Sequence, residues 1–222
     1  MGEMVEFPTN GKMSSGYLAL PSSGSGPGVI VIQEWWGLVD HIKNVADRFA
    51  AEGFCALAPD LYEGERATGP DEAGKLMMAL NIETVEKDLR GAIVFLLSRS
   101  SGGRVGTVGF CMGGQLSLFA ACANPQVGAC VDFYGIHPNV RPDLENLRAP
   151  VLGFFAERDE HVPPSAAKQL EADLQVVGKE ARIVIFKDAD HAFFNDTRAE
   201  VFHSEYAAES WAETLAFYAE HL

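Results

Sequence analysis

The sequence has few of the residues that build metal sites, disulfides or nucleic-acid contacts. It contains four cysteines in 222 residues, and no two of them have the Cys-x-x-Cys spacing of a zinc site or a redox pair. The chain has 17 Lys and Arg residues and 31 Asp and Glu residues, which gives a formal net charge of −14. Phosphate backbones and anionic lipid surfaces repel so acidic a chain. We therefore expect no metal, no nucleic-acid partner and no membrane partner.

Long hydrophobic runs are also missing. No apolar stretch approaches the roughly 20 residues that a helix needs to cross a bilayer. The first six residues, MGEMVE, are acidic and lack the features of a signal peptide or a myristoylation site. We expect a monomeric, cytoplasmic protein with reduced thiols. The length of 222 residues predicts a single domain over residues 1–222, because domains usually run to about 50–250 residues.

Strand-like and helix-like patterns alternate through most of the chain. Continuous apolar runs such as 29–32 are typical of strands that are buried on both faces. Two leading strands, at about 3–7 and 16–20, should form a hairpin through Asn10-Gly11, and a last helix is expected from about 199 to 220. The alternation predicts an α/β fold with a mostly parallel sheet and helices on both faces. Ligands of such sheets bind at the carboxyl ends of the strands.

A candidate nucleophile follows the strand predicted at 105–109. The sequence there is Gly-Phe-Cys-Met-Gly-Gly, with Cys111 at the centre of a Gly-x-Cys-x-Gly pattern. Small neighbours allow a strand to turn sharply into a helix and expose the central side chain. The helix N-terminus favours a thiolate there, and the N–H of Met112 would point at a developing oxyanion. Alternatively, the glycines serve only the packing of an ordinary turn. We interpret Cys55, Cys122 and Cys130 as core residues.

An acid and a histidine follow in the order that this kind of nucleophile requires. Asp159 comes after the strand predicted at 150–156, and His191 comes after the last strand, so both should lie near Cys111. Glu157 and Asp132 are alternative acids, because each also lies near the end of a strand, and Asp190 is a further one beside His191. We assign His161, in the same loop as Asp159, a capping or surface role.

The loop after the strand at 29–32 reads Gln-Glu-Trp-Trp-Gly. The backbone N–H of Trp35 is the candidate second oxyanion donor, and we expect Trp36 to form a wall of a pocket. Glu34 follows a buried strand, so its carboxylate should lie beside the thiol, where it can accept a proton. A structural alternative is that the two tryptophans only plug and cover the core.

These residues together resemble the dienelactone hydrolase family, a branch of the α/β hydrolases. The resemblance covers nearly the whole chain and rests on the segments 33–37, 59–62 (Pro-Asp-Leu-Tyr), 109–114, 133–135 (Phe-Tyr-Gly) and 191–193 (His-Ala-Phe). It implies an α/β-hydrolase fold with about eight strands and hydrolysis of a small ester or lactone without a cofactor. It also implies a triad of Cys111, His191 and Asp159, with Glu34 holding the resting thiol and then taking its proton.

The resemblance also implies a substrate pocket and points to a departure from the family. Trp36, Tyr134 and Phe193 match pocket positions. Family members that cleave dienelactone bind its carboxylate through two arginines, but the matching positions here are Asn195 and, as the best match, Pro70. Arg66 and Lys75 lie near the second position, and Arg198 is a candidate substitute for the first. Whether the substrate is anionic stays open.

Two further functions compete with hydrolysis. The first is non-catalytic binding of small molecules on the same fold, although a binding protein has no need of an acid, a histidine and a nucleophile in order. The second is a redox sensor at Cys111, which would need a resolving cysteine that the local sequence does not offer.

Overall fold

Two antiparallel strands begin the chain and form one edge of an eight-stranded sheet. The computed structural model describes residues 2–9 and 11–222. Strand β1 (Glu3–Thr9) pairs with β2 (Lys12–Ala19) from Glu3 opposite Leu18 to Thr9 opposite Lys12. The predicted hairpin is confirmed, but β2 begins at Lys12 rather than near residue 16, because its polar first half pairs fully with β1. Asn10 of the predicted turn lies outside the described residues.

The other six strands run parallel to one another, and β2 pairs antiparallel with its inner neighbour. They are β3 (Pro27–Ile32), β4 (Cys55–Pro59), β5 (Ser101–Phe110), β6 (Val127–Phe133), β7 (Val151–Ala156) and β8 (Ala181–Phe186). The order across the sheet is β1-β2-β4-β3-β5-β6-β7-β8. Strand β4 therefore lies on one side of β3, whereas β5 and the later strands lie on the other. In open parallel sheets, ligands bind beside the point where the strand order reverses in this way.

Helices cover both faces of the sheet, as the alternating pattern predicts. They are α1 (Asp40–Ala51), α2 (Pro70–Ala79), α3 (Ile82–Leu97), α4 (Met112–Ala123), α5 (Pro164–Val176) and α6 (Ser204–His221). On one face α1 and α6 meet where the rings of Phe49 and Trp211 lie 4.5 Å apart. On the other face α3 packs against α4. The reversal at β3 and right-handed crossovers account for this division.

The final helix begins later than its sequence pattern predicts. Residues 196–201 form turns, and α6 starts at Ser204 rather than near residue 199. The ring of His203 caps the helix by accepting a hydrogen bond from the N–H of Tyr206, so the helical register is set there. None of the described helices is long and apolar enough to cross a bilayer.

Candidate active site

Cys111 lies on a sharp turn between β5 and α4. Its backbone has φ 54° and ψ −120°, a conformation that a side-chain-bearing residue rarely adopts and that costs on the order of 1–3 kcal/mol. The turn needs glycine on both sides. A Cβ atom on Gly109 would lie 1.8 Å from the carbonyl oxygen of Gly113, and one on Gly113 would lie 2.4 Å from that of Ile32. The strand-to-helix turn predicted from the glycine spacing is therefore present.

Three backbone hydrogen bonds hold the strained residue. The N–H of Cys111 donates to the carbonyl of Phe133 at 3.0 Å, and its own carbonyl accepts from Gly114 at 2.9 Å and Ile136 at 3.1 Å. The residue is 8 % exposed. Such strain persists only where the surroundings over-determine it, and it concentrates at active sites.

Asp159 and His191 form a hydrogen-bonded pair. Nδ1 of His191 lies 2.6 Å from Oδ2 of Asp159, whose other oxygen accepts the backbone N–H groups of His161 and Val162 at 2.8 Å each. The Asp159 side chain has no exposed surface. Because Nδ1 is held in this way, Nε2 is the ring nitrogen left free for proton transfer.

The surroundings of His191 favour its charged form. Burial of the ring lowers its pKa, but hydrogen bonds to Asp159 and to the thiol of Cys111 outweigh that effect and raise the pKa of His191 to about 10. The charges of Cys111 and Asp159 act in the same direction. These contacts favour the imidazolium form of the ring, which can stabilise a thiolate.

Glu34 is a buried carboxylate with a neutral partner. It is 1 % exposed, and its Oε2 accepts a hydrogen bond of 2.8 Å from Nδ2 of Asn195. The Oδ1 atom of Asn195 in turn accepts from the backbone N–H of Thr197 at 3.1 Å and from its hydroxyl at 2.6 Å. The structure thus places Asn195, expected in the substrate pocket, against Glu34, with one amide N–H and the amide oxygen in hydrogen bonds.

Tyr134 connects these groups. Its ring centroid is 5.0 Å from that of His191, and its backbone φ is 44°. Its hydroxyl is buried and makes no hydrogen bond within residues 2–9 and 11–222. Burial raises the pKa of Tyr134 well above its usual value, and the negative charges of Glu34, Cys111 and Asp159 raise it further. Tyr134 therefore lies against His191, and the charges of the other three predicted groups reach it.

Both predicted oxyanion donors are backbone N–H groups that have no acceptor in the described part of the chain. Met112 is the first residue of α4, where the helix provides no acceptor. Neither its N–H nor that of Trp35 donates a hydrogen bond in the described part of the chain. Trp35 and Trp36 are half-buried, and their rings meet edge-on at 5.2 Å. The turn after them needs Gly37, which has φ +94°.

Sequence reasoning did not assign Tyr62 to the site. Its hydroxyl donates to Sδ of Met112 at 3.3 Å, and its pKa is raised by burial and then by the charge of Cys111. The side chain of Asp60 shapes the turn that positions Tyr62, because it accepts the N–H groups of Tyr62 and Gly64. The available signal was the position of this segment directly after β4.

Four other predicted or alternative pocket residues lie in the core or nearer the surface. Phe193 is fully buried and packs 5.2 Å from Phe186, ring to ring, so it supports Tyr134 from the core. Arg198 is partly exposed, its Nε donates to Glu200 at 2.9 Å, and its positive charge lowers the pKa of the buried Tyr134. Arg66 and Lys75 are exposed on the surface.

The alternative acids have other surroundings. Glu157 accepts the backbone N–H of Asp188. Asp132 is fully buried beside Gly114 and Gly135, and burial raises its pKa to about 7. Among the described residues, Asp159 is the acid that hydrogen-bonds His191. No cluster of three or more His, Cys, Asp or Glu side chains that could hold a metal occurs in residues 2–9 and 11–222.

Comparisons with known proteins show the family to which the chain belongs. The profile of the "Dienelactone hydrolase family" matches residues 14–222. "Protein usf" of Aquifex pyrophilus is 40% identical over 231 residues and covers 100% of both chains. A protein of Aquifex aeolicus (strain VF5) named "Putative carboxymethylenebutenolidase" is 35% identical, again over 100% of both chains. A crystal structure from Klebsiella pneumoniae, described as "Putative Dienelactone Hydrolase", has TM-score 0.90 and 30% identity, and the match covers 100% of this chain and 99% of that one.

Proposed function

Since this chain belongs to the dienelactone hydrolase family and is a hydrolase, we propose that it cleaves small carboxylic esters or lactones with Cys111 as the nucleophile. One observation carries the proposal: the strained Cys111 lies at the N-terminus of α4 and helps to raise the pKa of His191, whose ring Asp159 holds through a 2.6 Å hydrogen bond. This is the arrangement of nucleophile, base and orienting acid that acyl transfer uses.

In the first half-reaction, the Cys111 thiolate attacks the carbonyl carbon and forms a C–S bond. The electron pair of the C=O bond moves to oxygen, which the N–H groups of Trp35 and Met112 stabilise. When the tetrahedral intermediate collapses, the bond to the leaving oxygen breaks. His191 donates its proton to that oxygen, so an alcohol departs and a thioester remains on Cys111.

In the second half-reaction, water attacks the thioester. His191, now neutral, takes a proton from the water as the new C–O bond forms. The C–S bond then breaks, the carboxylic acid leaves, and the thiolate–imidazolium pair is restored. Asp159 keeps its charge throughout and fixes the orientation of the ring.

Glu34 has a separate role in this proposal. Its carboxylate is buried and is oriented by Asn195 rather than by a cation. A carboxylate beside the sulfur disfavours a permanent thiolate, so Glu34 governs the protonation of Cys111 in the empty site without acting as the hydrolytic base.

The test is hydrolysis of p-nitrophenyl acetate by Cys111→Ala. Removal of a nucleophile that acts as one unit with its base should lower kcat by about 10³-fold or more. Cys122→Ala is the matched control, because burial raises the pKa of Cys122 to about 12 and keeps it an unreactive thiol. Near-normal activity of Cys111→Ala would contradict the proposal. A wild-type protein that binds esters without hydrolysing any of them would instead indicate a binding protein.

A further inference from the structure

An open groove of about 610 Å³ lies between the segment after β6 and helix α5. Its floor is largely apolar and includes Leu118, Ile136, Phe155 and Leu170, while His161 and Ala166 form part of its wall. An apolar concavity of this size with a few polar groups at its margin is typical of a small-molecule site.

His161 joins the groove to the candidate active site. Its backbone N–H donates to Oδ1 of Asp159 at 2.8 Å, and its ring meets the ring of His191 edge-on at 5.0 Å. The same residue lines the groove. The side chain of His161 therefore borders both the ring of His191 and the groove.

The nucleophile is linked to the groove from the other side. The N–H of Ile136, a residue of the groove floor, donates to the carbonyl of Cys111 at 3.1 Å. The groove thus begins next to the two residues that, under the proposed function, handle the ester bond.

The direction of proton transfer decides which part of a substrate can enter the groove. His191 protonates the leaving oxygen, so the alcohol part of the ester must lie on the His191 side of the scissile bond. The groove begins on that side, directly beyond the ring of His161. We propose that it binds the apolar alcohol portion of the ester substrate. This inference rests on the proposed function, and it identifies the substrates as esters whose alcohol part is extended and apolar.

The expected size of the effect follows from the burial of hydrocarbon. One fully buried methylene gives about 0.8 kcal/mol, which corresponds to about a fourfold change in kcat/KM. In an open groove each added methylene should therefore increase kcat/KM by about two- to fourfold until the groove is filled.

The experiment compares two ester series in the full-length protein. In one series the acyl group stays acetyl and the alcohol lengthens from methyl to hexyl. In the other the alcohol stays methyl and the acyl chain lengthens. The test variant is Ala166→Trp, which fills the groove from an exposed position of α5. The matched control is Ala172→Trp, at an exposed position of the same helix outside the groove.

We expect kcat/KM to rise along the alcohol series in wild type and in Ala172→Trp. The rise should be lost in Ala166→Trp, so that its kcat/KM for hexyl acetate is no higher than its kcat/KM for methyl acetate. A flat alcohol series in an enzyme that hydrolyses p-nitrophenyl acetate would overturn the groove assignment alone, as would an unchanged slope in Ala166→Trp. Absence of hydrolysis for every ester would overturn the proposed function and this inference together.

Discussion

The amide nitrogen of Asn195 donates a hydrogen bond of 2.8 Å to Oε2 of Glu34, and both side chains are almost completely buried. A neutral amide thus orients a buried carboxylate whose charge, like that of Cys111, raises the pKa of Tyr134. The amide oxygen of Asn195 is itself engaged by Thr197. One N–H of the Asn195 amide thus serves Glu34, and we expect Asn195 to position that carboxylate.

Asn195→Ala should lower kcat/KM for p-nitrophenyl acetate by about tenfold, because a hydrogen bond to a charged group contributes about 1.5–3 kcal/mol. The pH profile of kcat/KM should also shift, since the environment of Glu34 changes. Thr197→Val removes only the hydroxyl contact to Asn195. It should shift the pH profile in the same direction as Asn195→Ala does, but by a smaller amount. A lower melting temperature with an unshifted pH profile would show that Asn195 is purely structural.

Glu34→Gln should reduce turnover and yet speed alkylation of Cys111 by iodoacetamide in the absence of substrate. The substitution removes a negative charge near the sulfur while keeping the shape of the side chain, so the thiolate becomes more populated. The measurement is the rate of alkylation against pH in both proteins. Identical curves would show that Glu34 does not sense the sulfur.

The protonation of His191 gives a third test. Its pKa of about 10 lies above the ordinary value of about 6.5. The imidazolium therefore stabilises the folded state fully below about pH 6.5, and this contribution is lost as the pH rises through about 10. The advantage of wild type over His191→Ala in urea unfolding should shrink over that range.

The causes of the raised pKa can be separated by NMR titration of the His191 ring. Asp159→Asn and Cys111→Ser should each lower the pKa of His191, because each replaces a group that can carry a negative charge with one that stays neutral and favours the imidazolium less. If neither substitution moves the titration, these two residues are not the cause of the raised pKa of His191.

Asp132 provides a prediction on stability. Burial raises its pKa to about 7, well above the unfolded value of about 3.9. The folded protein then binds the proton more tightly than the unfolded chain, so the free energy of unfolding falls as the pH rises from about 4 to 7. Relative to wild type, Asp132→Asn should gain stability across that interval, as measured by urea unfolding. A difference in the free energy of unfolding between the two proteins that does not change with pH would contradict the raised pKa of Asp132.

Much of this arrangement could be predicted from local sequence. The apolar runs and their spacing identify the strands and helices, because burial on both faces demands such runs. The glycines around Cys111 indicate the sharp turn, since any side chain at Gly109 would collide with backbone. Asp159 and His191 each follow a strand, and parallel strands bring their carboxyl ends together.

Other features depend on tertiary placement and leave no local signal. The contact between Glu34 and Asn195 joins residues 161 positions apart, and nothing near either residue encodes it. The same holds for the groove, whose lining comes from segments between residues 115 and 173. The start of α6 was predicted too early because residues 199–203 suit a helix in composition, whereas capping by His203 sets the true boundary.

The central claim is a covalent intermediate on Cys111, and rapid-quench mass spectrometry tests it most directly. Wild type mixed with p-nitrophenyl acetate and acid-quenched within the first turnover should gain the mass of one acetyl group, and peptide mapping should place that group on Cys111. Cys111→Ala should gain none under the same conditions. Hydrolysis at the wild-type rate by Cys111→Ala, or an acetyl group that maps to another residue during turnover, would contradict the account.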